Sequence, residues 1–231
     1  MTNDTPPPGF DRVYHLAPLR FAKTNIEFRR LKVATFSDAN DPFEAKALNL
    51  RGRRNREARK VLNEFKASQD EQTGMLCFSR AWTNPVLWSH YAEGHKGVCL
   101  GFDVKADLLE PVEYTDSLLT TRLSDETDPS ELPDELQRAL LVTKFQHWQY
   151  EDEVRRFVSL SDANRQDGIY FWPFDENMIL REVVLGPLCP RSELEPMRAS
   201  VATAKVPAVV SRARLGFGSF EVRPDGRYPP E

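Results

Sequence analysis

Two glutamates stand two residues apart in the stretch QHWQYEDEVRRFVSL, where Glu151 and Glu153 open a segment that alternates like a β-strand. Side chains at i and i+2 of a strand face the same side. Two carboxylates sharing a face can be made unequal by burial, so that one serves as a hydrogen-bond acceptor and the other as a base. The plainer alternative pairs them with Arg155 and Arg156 as surface ion pairs, and the spacing fits both readings. A second concentration of chemistry lies in CFSRAWTNPVLWSHYAEGHKGVCLGFD, residues 77–103, which holds Trp82, Trp88, His90, Tyr91, His95, Cys77 and Cys99.

Several reaction classes are disfavoured by spacing. His90 and His95 are five residues apart, about 140° around an ideal helix, whereas a helical metal pair needs a spacing of three or four. Gly94 also interrupts any helix between them, and no CxxC or HxxxH occurs, so no metal is expected. Cys77 and Cys99 sit in apolar runs, the setting of inert core thiols rather than activated thiolates. No G-x-S-x-G elbow, GxGxxG or GxxxxGK[ST] is present, so a nucleotide would have to be held without a glycine-rich phosphate loop. The turn SDANDPFE offers Asp38, Asp41 and Glu44 as oxygen ligands, but Asx-turn chemistry explains it more economically.

The elements that must position these groups are legible from pattern. RVYHLA (12–17), LKVATF (31–36), GMLCFS (74–79), KGVCLGFDV (96–104), EPVEYTD (110–116), EVRRFVSL (153–160), ENMILREVVLGP (176–187) and the C-terminal AVVSRARLGFGSFEVRP read as strands. FAKTNIEFRR (21–30), PVLWSHYAEG (85–94), ELQRALLVTKFQHW (135–148) and RSELEPMRASVATA (191–204) read as helices, with Pro85 in a first turn and Gly94 as a C-terminal cap. Without βαβα regularity the class is α+β, with mixed or antiparallel sheets and flanking helices. Residues 1–11, with three consecutive prolines, read as a disordered tail. Residues 12–231 form one domain carrying a charged helical insertion at about 45–70.

That insertion brings Arg51, Arg53, Arg54, Arg56, Arg59 and Lys60 together, a patch able to contact phosphates of RNA, DNA or a nucleotide. A solvated helix face is the competing reading, since the run lacks interleaved aromatics and the chain as a whole carries a net charge of −4. With 231 residues, 40% hydrophobic and 29% charged, the chain has an ordinary globular composition. No secretory signal pattern and no apolar run of roughly 18 residues are present, and three cysteines give no disulfide framework. The expectation is a cytoplasmic protein without membrane contact.

NDPFE, CFSRAWTNPVLWSHYAEGHKGVCLGFD, WQYEDEVR and REVVLGP, in this order, resemble the bacterial domain-of-unknown-function 2971 family from about Val13 to the C-terminus. That resemblance implies no reaction. A second likeness does. Mono-ADP-ribosyltransferases hold NAD on a split α+β sandwich and draw an Arg or His, then a Ser, Thr or Tyr, then a Glu (commonly E-x-E) from successive strands. VYHLA, LCFSR and YEDEV are similar in order, although the family's S-T-S triplet is absent. The likeness implies that His15 binds the nicotinamide-side ribose and Ser79 positions the neighbouring wall. It implies that Glu153, beside Glu151, stabilises an oxocarbenium-like transition state. Tyr14, Trp88 or Tyr91 would stack on nicotinamide.

Three expectations follow. The first is an NAD-consuming ADP-ribosyltransferase or NAD glycohydrolase, a toxin or defence effector acting on a macromolecular acceptor. The second is a nucleic-acid-directed protein using the basic run with His90 and His95. The third is a non-catalytic scaffold in which WSHYAEGHKG is structural. Under a variant of these, Trp88, His90, Tyr91 and His95 themselves line a pocket as stacking and proton-transfer groups.

Overall fold

A strand that is apolar at nearly every position, such as VCLGFDV, has to be covered on both faces. The computed structural model, which describes residues 5–51, 56–120 and 132–230, places this run at the centre of the protein. The first half of the chain forms β1 (Phe10–Ala17), α1 (Leu19–Glu27), β2 (Arg30–Lys32), α2 (Arg56–Gln72), β3 (Thr73–Ser79), α3 (Pro85–Tyr91) and β4 (Val98–Lys105). Then come β5 (Glu110–Pro111), β6 (Glu113–Thr115), α4 (Asp134–Val142), β7 (Thr143–Phe145) and β8 (Glu153–Ser159). The chain ends with β9 (Asn164–Gln166), β10 (Ile169–Pro173), β11 (Met178–Leu185), α5 (Leu194–Ala204), β12 (Val209–Leu215) and β13 (Val222–Pro224).

Eight strands make one sheet in the order β13-β12-β11-β4-β1-β3-β8-β5, antiparallel except for the β11/β12 pair. The class is α+β, as the sequence pattern indicates. On one face α1 and α5 lay Ala22, Ile26, Leu194, Met197 and Val201 against Leu76, Leu100, Phe102 and Val183. On the other face α3 contributes Leu87 and Trp88 to a cluster with Leu16, Cys99 and Val184. The α2 and α4 helices pack on each other through Val61, Leu62, Phe65 and Leu140. Burying side chains of this kind stabilises by about 1.5–3 kcal/mol each. No helix among the described residues is long and apolar enough to cross a membrane.

Some boundaries differ from the pattern, and the differences matter for the site. β1 begins at Phe10, within the stretch read as a tail, because Gly9 accepts a 2.8 Å hydrogen bond from Ala106; residues 1–4 lie outside the described residues. LKVATF stops being a strand after Lys32, and its remainder leads into a long irregular segment, 33–50, that touches β3 through an Ala34–Met75 bridge. The charged helix starts at Arg56 rather than at 45. The helix expected over 135–148 ends at Val142, where Thr143 turns extended and Thr143–Phe145 pairs with β6. That early stop carries Lys144 inward, where it is buried.

Candidate functional site

The sheet is not continuous at its middle. β1 pairs with β4 along eight residues and β3 pairs with β8 along seven, but β1 and β3 share a single register pair, Tyr14 with Ser79. Ser79 is in turn the register partner of Glu153. Tyr14, Ser79 and Glu153 therefore form one row across β1, β3 and β8. Below that row the strands part, and a cavity of about 220 Å³ opens. Its walls come from β1, β3, β8, α3, Lys144 of β7 and residues 34–44 of the irregular segment. That segment is tied to α2, where Lys66 donates to the carbonyls of Phe36 (3.0 Å) and Glu44 (3.1 Å) and Asp70 accepts from Ser37.

One side of the cavity is a buried charge network. The Arg155 guanidinium donates through Nη1 and Nη2 to both oxygens of Glu44 (2.9 and 2.7 Å) and through Nε to Glu153 (2.8 Å). Lys144 donates to Glu153 at 2.8 Å and also to Glu151, whose other oxygen accepts from the Tyr91 hydroxyl. Burial opposes the charge on Glu153, but Arg155 and Lys144 overcome it and hold its carboxyl well below the usual range, at about 2. Glu151 behaves differently: burial pushes it upward despite its bonds to Lys144 and Tyr91. The pair at 151 and 153 is thus unequal in the way that shared burial allows. Burial would lower the Lys144 ammonium, yet Glu153 and Glu151 raise it, so it stays charged.

His15 reaches the cavity where β1 leaves β3, with its Nδ1 3.1 Å from the Cys77 carbonyl. A carbonyl only accepts, so Nδ1 carries the proton and Nε2 is left as an acceptor. Burial lowers the ring's pKa and keeps it neutral. Ser79 turns its hydroxyl onto its own backbone, donating to the Ala81 carbonyl at 2.7 Å. Cys77 lines the same space, but burial pushes its thiol up, so it is no nucleophile.

Of the residues singled out by sequence, Tyr14, His15, Ser79, Tyr91, Glu151 and Glu153 line this one cavity. Trp88 does not. It is fully buried beneath α3, with Nε1 donating to the Trp82 carbonyl at 2.6 Å, and it has no face left for a ligand. His90 is exposed, with Nδ1 2.9 Å from the Tyr150 hydroxyl. His95 sits in the turn after α3, where Glu93, Gly94 and His95 all take left-handed backbone angles. WSHYAEGHKG is therefore a helix, a tight turn and a strand start. Asn84 caps the helix by accepting from the Val86 amide at 2.9 Å, and a Cβ at Gly97 would fall 2.3 Å from the Ala17 carbonyl. Only Tyr91 of that segment faces the site.

The basic run does not join it either. Arg59 donates to the Leu50 carbonyl at 2.9 Å, Lys60 lies 3.6 Å from Glu64, and Arg56 is exposed on α2. One surface groove holds Arg51 and Arg59 together and a second holds Arg56, Arg59 and Lys60, but neither contains His90 or His95. Arg53 and Arg54 lie outside the described residues. Asp41 makes the expected Asx turn, accepting from the Phe43 amide at 2.9 Å. Among the described residues no group of three or more His, Cys, Asp or Glu is arranged to hold a metal ion.

Lys144 and Glu44 are the members of the network that the sequence reading missed as site residues. Lys144 stood in a segment read as helix, and Glu44 in a turn explained by its aspartates. The surface ion pair expected of Arg155 is instead a fully buried one. The strand-spacing signal holds for Glu153 and Arg155 on β8, whereas Glu151 ends a 3-10 turn with left-handed Asp152 between it and Glu153, so a turn and not strand alternation brings the two glutamates together.

No curated protein and no solved structure matches the chain. Residues 87–156 match the family model described as Protein of unknown function (DUF2971). That span, which holds Tyr91, Lys144, Glu151, Glu153 and Arg155, is where the chain is similar to the DUF2971 family.

Proposed function

We propose that this protein cleaves the nicotinamide–ribose bond of NAD, as an ADP-ribosyltransferase or NAD glycohydrolase. The observation that carries the reading is the row of Tyr14, Ser79 and Glu153 on three neighbouring strands, with His15 beside it, over a cavity in a split sheet. The order and strand placement accord with the resemblance noted from sequence. At about 220 Å³ the cavity is smaller than the roughly 300–1,000 Å³ of sites that hold a whole drug-sized ligand. It suits the nicotinamide ring with part of its ribose, the remainder of the dinucleotide extending outward.

The chemistry follows from the groups present. His15 Nε2 accepts from a ribose hydroxyl. Glu153, held anionic, accepts from the other and stabilises positive charge developing at C1′ as the glycosidic bond breaks. The bonding pair leaves with the ring nitrogen, giving neutral nicotinamide. Water or an acceptor group then attacks C1′ and gives its proton to Glu151, the carboxylate better suited to take it. Tyr14 and Tyr91 offer ring faces to nicotinamide; buried Trp88 does not.

The test is nicotinamide release from NAD by purified protein, compared with Glu153→Gln and His15→Ala. Glu153→Gln keeps an oxygen for Arg155, and release should fall by at least about 100-fold while the near-ultraviolet circular dichroism is retained. No release by the wild type, with no heat on NAD titration, would overturn the proposal.

A further inference from the structure

The charge network does not balance. Glu44, Glu151 and Glu153 supply three carboxylates, and Lys144 and Arg155 supply two cations, all buried and all lining the cavity. Asp38, the other acidic residue on the wall, has its own partner in Lys32 at 3.2 Å. His15, Cys77 and the tyrosines add no charge. One negative charge is therefore left over in a small space walled by Tyr14, Tyr91 and Phe78, whose ring faces are themselves attractive to cations. Uncompensated charge is costly in a buried site, and a ligand of opposite sign removes that cost on binding. The hydrogen-bond roles locate the surplus. Glu44 and Glu153 each share Arg155, and Lys144 is shared between Glu153 and Glu151, so Glu151 is the carboxylate with the least cationic support.

We infer that the cavity selects a ring-sized organic monocation, whose charge completes the network at Glu151. This deepens the proposed function, because the nicotinamide ring of NAD is a pyridinium cation, and rests on it for the identity of that ring. A product ring that has become neutral loses the attraction, which favours its departure.

The probes are 1-methylnicotinamide, a cation, and nicotinamide, its neutral relative of nearly the same shape, titrated into the full chain by calorimetry. A full unit charge a few ångströms from Glu151 should make the cation bind at least tenfold tighter. Glu151→Gln should erase that preference. Should that variant fail to fold, the wild type at lower pH gives the same information. The titratable groups that share the cavity with Glu151 are Lys144, Glu153, Arg155, Glu44, Asp38, Tyr14, His15, Cys77 and Tyr91, and Tyr114 and Tyr150 also feel its charge. Burial raises the Glu151 carboxyl and it is the least supported carboxylate among them, so the cation's advantage should shrink as the pH falls from neutral into the carboxylate range. Equal or tighter binding of neutral nicotinamide, or no binding of either probe, overturns the inference. The two readings separate cleanly. A cation preference without NAD turnover sinks the enzymatic proposal alone, and turnover without a cation preference sinks this one alone.

Discussion

Arg155→Met removes a fully buried guanidinium and leaves a hydrocarbon of similar length in its place. Five hydrogen bonds go with it, two to Glu44, two to Glu153 and one to the Leu141 carbonyl. Three carboxylates would then face Lys144 alone, and the surplus would rise from one negative charge to two. Deleting one partner of a buried pair costs about 3–5 kcal/mol, because the other is left charged and dry. For a chain of this size each kcal/mol moves the melting temperature by about 2–4 °C, so a fall of about 10 °C is expected at neutral pH. Glu44→Gln is the control that makes the charge count testable. It leaves two carboxylates with two cations, and its cost should be limited to about 1–2 kcal/mol of weakened hydrogen bonding. In Arg155→Met, Glu153 loses the first of the two cations that depress its folded pKa, so the variant has less stability to lose as the pH falls and its deficit should narrow at acidic pH. Thermal melts of wild type and both variants across pH 5–8 decide the matter. Arg155→Met melting within 2 °C of wild type, or Glu44→Gln proving equally harmful, would refute the network's energetics.

The wild type has the opposite pH dependence at Glu153. Its folded pKa is depressed to about 2, so it contributes stability above the ordinary carboxylate range that drains away as pH falls toward 2; a urea-midpoint series that stays flat over that window would contradict the assignment. Trp88→Ala should destabilise by about 3–5 kcal/mol without direct contact with the cavity, and a loss below 1 kcal/mol in chemical denaturation would contradict its role as anchor of α3. Gly97→Ala should cost at least about 2 kcal/mol, since the added Cβ meets backbone rather than a movable side chain; a melt unchanged from wild type would be incompatible with that close approach. Burial raises all three thiols, and Cys99 and Cys189 are buried, so alkylation at pH 7.5 should wait on unfolding, with rapid labelling of the native protein as the contrary result.

The local elements were largely legible because their signals are local. Periodicity marked β3, β4, β8 and α5 nearly residue by residue, and Pro85 marked the first turn of α3. The boundaries that failed were those set by partners distant in sequence. Thr143–Phe145 is extended because β6 is there to pair with it, and Lys144 turns inward because two carboxylates wait for its charge. The aromatic richness of residues 77–103 was readable as a distinctive segment, but Trp88 is core, His95 lies in a turn, and of its aromatic side chains Phe78 and Tyr91 face the cavity.

What the sequence determined by itself was the α+β class, free thiols of which Cys99 and Cys189 are buried, and a set of candidate groups in His15, Ser79, Glu151 and Glu153. Residue type and spacing are enough for those, because backbone propensity and strand alternation act over a few residues. The tertiary structure decided what the groups see. Glu44 lies 111 residues from Arg155, and Tyr91 lies 60 from Glu151, so no pattern along the chain can pair them. Whether a carboxylate is an ion pair on the surface or a buried charge in a cavity depends on what the fold stacks over it. Here that was settled by the parting of β1 from β3, which no local signal announces, because it rests on which strand hydrogen bonds are left unmade.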